Sequence, residues 1–196
     1  MENNDIFPFF NPPQLNPNDY CLTEQVIEAD CYILDSGHVF WPKLSDGYSI
    51  VKTKRGKVYV HEKHGKTERK KNIATARYFA EKYGHTIWLL PNPDDRKSPD
   101  AFNETLNVFQ EFKEPISTKA TSIENAIHSA GKQANCVVLT VNTRMSLESL
   151  RWGLNNEIKR SKSVLSVTLI RAKMDVTFTR AEIIRKGFKI KQDDFS

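Results

Sequence analysis

Lys97-Ser98-Pro99-Asp100, followed roughly ten residues later by Gln110-Glu111-Phe112-Lys113, is the stretch on which the reading of this chain turns. An Asp stands just after a Pro, and a Glu-x-Lys closes an apolar, β-leaning run. Side chains alternate across a strand, so Glu111 and Lys113 share one face while Phe112 takes the other. A neighbouring strand that begins near Asp100 brings a second carboxylate to that face. Two carboxylates converging with an ammonium make a hard, oxygen-rich site for Mg²⁺ or Mn²⁺, with a cation beside it to handle a proton or to stabilise charge. Phosphodiester hydrolysis needs those parts.

Working outward, Glu68–Tyr83 carries Ile73, Ala76, Ala80 and Tyr83 at helical spacing, with Gly84 placed as a C-cap. Thr86–Leu90 is a short, continuously apolar strand bounded by Pro91. Asp100–Phe102 predicts a brief strand, Asn103–Thr105 a turn, and Leu106–Lys113 the strand that bears Glu111 and Lys113. Ser122–Ala134 predicts a second helix with Ser122 as its N-cap and Gln133 late on it. Cys136–Val141 is a buried strand by composition. Beyond these, Leu147–Arg160 reads as a helix, Val164–Ile170 and Val176–Thr179 as strands, and Thr179–Lys186 as a short helix closed by Gly187. The central order is helix, strand, strand, strand, helix, strand.

String and order together resemble the PD-(D/E)XK nucleases. More particularly, Ala80–Gly84, Trp88–Pro91, Lys97–Asp100, Glu111–Lys113 and Lys132–Val138 resemble the C-terminal toxin domains of contact-dependent inhibition systems, many of them tRNA nucleases, and related proteins of phages and mobile elements. The likeness spans roughly residues 66–180. It implies an α/β fold, a restriction-endonuclease-like core with a small N-terminal β extension. It also implies Asp100 and Glu111 as metal ligands and Lys113 as the group that orients water or stabilises the phosphorane. Gln133 is implied as a supporting polar residue and Glu68 as a further carboxylate from the first helix, where Glu68 and Asn72 lie four apart on one face. An immunity or element-encoded protein partner follows from the same likeness, and RNA is favoured over DNA as substrate. One departure stands out: the turn Asn103-Glu104-Thr105-Leu106 lacks the glycine usual there.

Charge divides the chain. Residues 1–50 carry one basic and eight acidic residues, a net −7, and residues 51–196 carry 28 basic and 16 acidic, a net +12. A basic body suits a polyanion such as nucleic acid. Arg151, Lys159, Arg160 and Lys162 are the expected phosphate contacts, with Trp152 among them either stacking a base or joining the core. The domain organisation reads as an extended, Pro-rich acidic arm over 1–30, a small β subdomain or sheet extension over 31–65, and a nuclease-like domain over 66–190. In the arm, Phe7, Phe9 and Phe10 are candidate anchors. Between arm and helix, Cys31–Leu34, Val39–Trp41, Tyr48–Lys52 and Val58–His61 are β-leaning, and Lys54-Arg55-Gly56-Lys57 reads as a hairpin turn. Cys21, Cys31 and Cys136 form no metal or disulfide pattern, and neither a signal peptide nor an apolar membrane-length run occurs, so a cytoplasmic protein is expected. No GxGxxG or P-loop spelling points to a nucleotide cofactor.

Two other functions fit the same residues. A metal-independent RNase of the barnase or colicin type would use Lys113 with Ser117 or Thr118 and one of His61, His64, His85 and His128. No metal-binding spacing links those histidines, so each is expected to be exposed or hydrogen-bonded. A non-catalytic nucleic-acid- or protein-binding protein of a mobile element is the remaining alternative.

Overall fold

A computed structural model describes residues 44–92 and 98–195. The acidic arm over 1–30 with Phe7, Phe9 and Phe10, the runs Cys31–Leu34 and Val39–Trp41, Cys21, Cys31 and Lys97 lie outside the described residues.

One eight-stranded sheet runs in chain order: β1 (Tyr48–Val51), β2 (Lys57–His61), β3 (Thr86–Leu89), β4 (Ala101–Asn103), β5 (Val108–Lys113), β6 (Cys136–Thr140), β7 (Ser166–Arg171) and β8 (Met174–Thr179). β1 and β2 form an antiparallel hairpin. At its turn Gly56 has φ +57°, and a Cβ there would lie 2.3 Å from the His85 carbonyl oxygen. Helix α1 (Arg69–Tyr83) carries the chain from β2 to β3, which are parallel, as a crossover must. β3, β4 and β5 form an antiparallel meander. Helices α2 (Ala120–Ala130) and α3 (Leu147–Arg160) then make the parallel crossovers β5 to β6 and β6 to β7. β8 returns antiparallel to β7 and leads into α4 (Arg180–Ile184). The helix-strand-strand-strand-helix-strand order is thus α1-β3-β4-β5-α2-β6. Among the described residues no helix is long and apolar enough to cross a membrane.

Alternation along the strands produces two cores. Val58, Val60, Ile87, Leu89, Ala101, Phe112, Val138 and Ile170 face α1 and bury Ala76, Phe79 and Ala80. Val137, Leu139, Val167 and Leu169 face the other way, under Ile123 and Ile127 of α2 and Leu150, Leu154 and Ile158 of α3. Phe112 belongs to the first core, so its neighbours Glu111 and Lys113 project from the opposite face of β5.

Several expected boundaries shift for local reasons. β5 begins at Val108, not Leu106, because Asn107 takes a positive φ of 55°. Asn tolerates that conformation better than other non-glycine residues, so it does the work of the glycine missing from this turn. α2 starts at Ala120 after Lys119 in the cap position; Ser122 is inside the helix, with Oγ near the Ser117 and Lys119 carbonyls. The helix ends at Ala130, where the Gln133 amide bonds back three residues to the Ala130 carbonyl. Gln133 therefore sits in the turn beyond α2 rather than on it. β8 begins earlier than expected, at Met174, because the two-residue turn Ala172-Lys173, with φ of 52° and 66°, lets the strands pair up to the bend. α4 starts after Thr179, whose hydroxyl and Glu182 form a capping box.

A candidate active-site cleft

The site lies where the carboxyl ends of β2, β3 and β5 meet the start of β4 and the N-terminal end of α1. Open α/β sheets commonly bind ligands at such strand ends. β4 and β5 pair with Ala101 opposite Gln110, which sets Asp100 beside Glu111. Each carboxylate is held by the backbone of the other segment: the Asp100 amide donates to Glu111 Oε2 at 3.1 Å, and the Phe112 amide donates to Asp100 Oδ2 at 2.9 Å. Lys113 Nζ lies 2.5 Å from Glu111 Oε1, and Gln133 Nε2 donates to the same oxygen at 2.7 Å. Asp100, Glu111, Lys113, Gln133 and Glu68 all line one cleft of about 220 Å³.

Two further residues complete the wall. Asn72, buried on α1, donates from Nδ2 to Asp100 Oδ1 at 2.9 Å and lies 3.0 Å from His64 Nε2. His64 Nδ1 is 2.6 Å from the Leu90 carbonyl oxygen. A carbonyl only accepts, so Nδ1 carries the proton and Nε2 accepts from Asn72. Burial, against the pull of the Leu90 carbonyl, lowers the His64 pKa and favours this neutral ring. His64 entered the sequence analysis only as one of four histidines open to a metal-independent RNase; its place beside Asn72 is set by the turn between β2 and α1, which no helical spacing encodes.

Electrostatically the cleft is unbalanced. Glu111 is 2% exposed, and burial followed by the Asp100 charge pushes its pKa up to about 8. Burial also raises Asp100, against the Phe112 amide and Lys113, with Glu68 adding to the rise. For Lys113, burial alone would lower the ammonium; Glu111, then Asp100 and Glu68, more than reverse it and hold it above its ordinary value. Among the described residues, one ammonium thus faces the buried Glu111, the half-buried Asp100 and the exposed Glu68. Among the described residues no three His, Cys, Asp or Glu groups are arranged to hold a metal, so a closed cage of zinc type is not offered. Two adjacent carboxylates in an open cleft fit instead the habit of Mg²⁺, which binds through one or two carboxylates and keeps waters or phosphate oxygens as its other ligands.

The remaining candidates lie elsewhere. Arg151, Lys159, Arg160 and Lys162 are on or just after α3, and none lines the cleft. Trp152 is 49% exposed, outside the core, with the Arg151 guanidinium 5.0 Å from its ring centre. Ser117 and Thr118 are exposed and do not line the cleft. His61, His85 and His128 do not line it either: His61 Nδ1 accepts from the Lys63 amide, His85 stacks on Tyr83, and His128 bonds Glu157.

No family model matches the chain, and no curated protein does. Among solved structures, a CdiA-CT/CdiI toxin and immunity complex from Burkholderia pseudomallei is similar at 17% identity, over 58% of this chain and 86% of that one, with a TM-score of 0.43.

Proposed function

We propose that the cleft hydrolyses phosphodiester bonds of nucleic acid with Mg²⁺ or Mn²⁺, and that α1-β3-β4-β5-α2-β6 is a restriction-endonuclease-like core of the PD-(D/E)XK kind. The observation that carries this reading is the pair of half-buried Asp100 and buried Glu111, held side by side with Lys113 as the cation bonded to Glu111 among the described residues. Asp100 and Glu111 would hold the metal ion, which supplies a Lewis acid for the phosphoryl oxygens and lowers the pKa of a bound water. Lys113, kept protonated by its carboxylate neighbours, stabilises the negative charge that grows on the phosphorane. Gln133 and the Asp100 amide fix the two Glu111 oxygens, and Asn72 fixes Asp100 from the other side. Glu68 stands at the rim, where it can accept from an entering water.

The order of the sequence motifs supports a toxin-type domain working on cytoplasmic RNA and met by an immunity or element-encoded partner. The metal-independent alternative finds little support, because among the described residues His64 is the one histidine lining the cleft and both its ring nitrogens are engaged. The test is direct. Full-length protein incubated with labelled RNA and Mg²⁺ is expected to cut it, and Glu111→Gln and EDTA are each expected to stop the reaction. Equal cutting in EDTA overturns the metal reading, and no cutting of RNA or DNA with either metal overturns the hydrolase.

A further inference from the structure

The turn after α2 faces two ways. Gln133 points to Glu111, while its neighbour Lys132 lines a second concavity of about 500 Å³ between the ends of α2 and α3. Gln133 lines the cleft, so adjacent residues of one turn line the two hollows. The concavity's other walls include His128, Arg160, Lys162, Glu124 and Glu157.

The charges there are not all spent on one another. Arg160 lies 3.9 Å from Glu124 and 3.8 Å from Glu157. Glu157 also accepts from Ser161 Oγ at 2.6 Å and His128 Nδ1 at 3.0 Å. The carboxylate contact places the His128 proton on Nδ1 and leaves Nε2, on a side chain 60% exposed, to accept from a ligand hydroxyl. Lys132 and Lys162 are exposed and make no ion pair among the described residues. Two uncommitted ammonium groups and an oriented imidazole acceptor therefore line a hollow of nucleotide size, one residue from the carboxylate pair.

We propose that this concavity is the strand-binding extension of the cleft. The backbone of a single nucleic-acid strand lies against Lys132 and Lys162, and a phosphodiester further along the same strand reaches Asp100 and Glu111. The proposal rests on the hydrolase reading for what happens in the cleft, but the binding stands independently of it. A volume of about 500 Å³ is on the scale of single nucleotides rather than of a duplex. Ribose hydroxyls and the amino groups of unpaired bases are donors on a single strand from which His128 Nε2 can accept.

Fluorescence anisotropy of the full-length protein with labelled single-stranded RNA, in EDTA so that nothing is cut, tests it. For a dodecamer, Lys132→Glu/Lys162→Glu is expected to weaken binding roughly tenfold at low salt. The same variant should flatten the slope of log affinity against log salt by about 1.4, since each lost phosphate contact on a single strand removes about 0.7. Lys54→Glu/Lys57→Glu, on the β1–β2 hairpin, makes the same change in net charge and should leave the slope intact. An unchanged slope in the first variant, or an equal loss in the second, overturns the strand path. If the slope flattens as expected but the wild type cuts nothing when Mg²⁺ is added, the strand path stands and the hydrolase reading falls.

Discussion

Helix α1 has a buried carboxylate centre at each end, and the two are built oppositely. At its C-terminal end, Asp175 of β8 is 7% exposed, and its Oδ1 accepts from Tyr78 Oη at 2.5 Å, Lys82 Nζ at 2.7 Å and Tyr83 Oη at 2.8 Å. One carboxylate meets one ammonium and two hydroxyls, and the charge closes. Burial, helped by the Asp175 bond, raises the Tyr78 hydroxyl above its ordinary pKa, so it remains a donor. At the N-terminal end, Asp100 and Glu111 share Lys113, so among the described residues two carboxylates meet one ammonium. A balanced buried cluster fastens β8 to the helix. An unbalanced one destabilises the fold unless a cation completes it, and that is what a site for metal and phosphate requires.

The largest effects should separate the two ends cleanly. Asp100→Ala or Lys113→Ala is expected to cut RNA cleavage by about a thousandfold or more, the scale on which charge-stabilising groups act, while Asp100→Ala, which relieves Glu111 of a neighbouring charge, moves Tm little. Asp175→Asn should do the reverse, leaving Lys82 without its counter-charge. We expect a loss of about 2–3 kcal/mol and a Tm lower by roughly 5–10 °C, with unchanged cleavage per folded molecule. A swap of these outcomes, with Asp175→Asn inactive and stable, would dissolve the contrast.

Only one of these ends was legible in the sequence. Asp100, Glu111 and Lys113 could be found because strand alternation and one short turn bring them together over fourteen residues of chain. Gln133 was found by motif order, although it stands beyond the helix it was expected to end. Asn72 entered only as a neighbour of Glu68, and its bonds to His64 and Asp100 depend on how the loop after β2 folds back. The Asp175 centre joins residues more than ninety positions apart, which no local period encodes. Helix and strand interiors followed from apolar patterning. Their ends were set by single residues, Asn107 and Thr179 among them, whose backbone preferences override it.

A smaller, pH-dependent effect sharpens the contrast. The folded state holds Glu111 at a pKa of about 8, above an ordinary carboxylate. Its contribution is therefore fully present at acid pH and is lost as pH rises toward 8, because the unfolded chain ionises first. In EDTA, wild-type stability relative to Glu111→Gln should fall by roughly 2–3 kcal/mol between pH 6 and pH 8. Saturating Mg²⁺ should remove most of that fall in the wild type and change nothing in the variant. A difference that does not vary with pH would mean that the two carboxylates are not in conflict.

Titration of Mn²⁺ into the wild type, Glu111→Gln and Asp175→Asn at pH 7.5, followed by calorimetry, measures the charge imbalance itself. The wild type and Asp175→Asn should each bind one ion with similar affinity and release protons as they do so, and Glu111→Gln should lose that binding. Retained binding in Glu111→Gln, or no binding in the wild type, would contradict the assignment of Asp100 and Glu111 as a metal site.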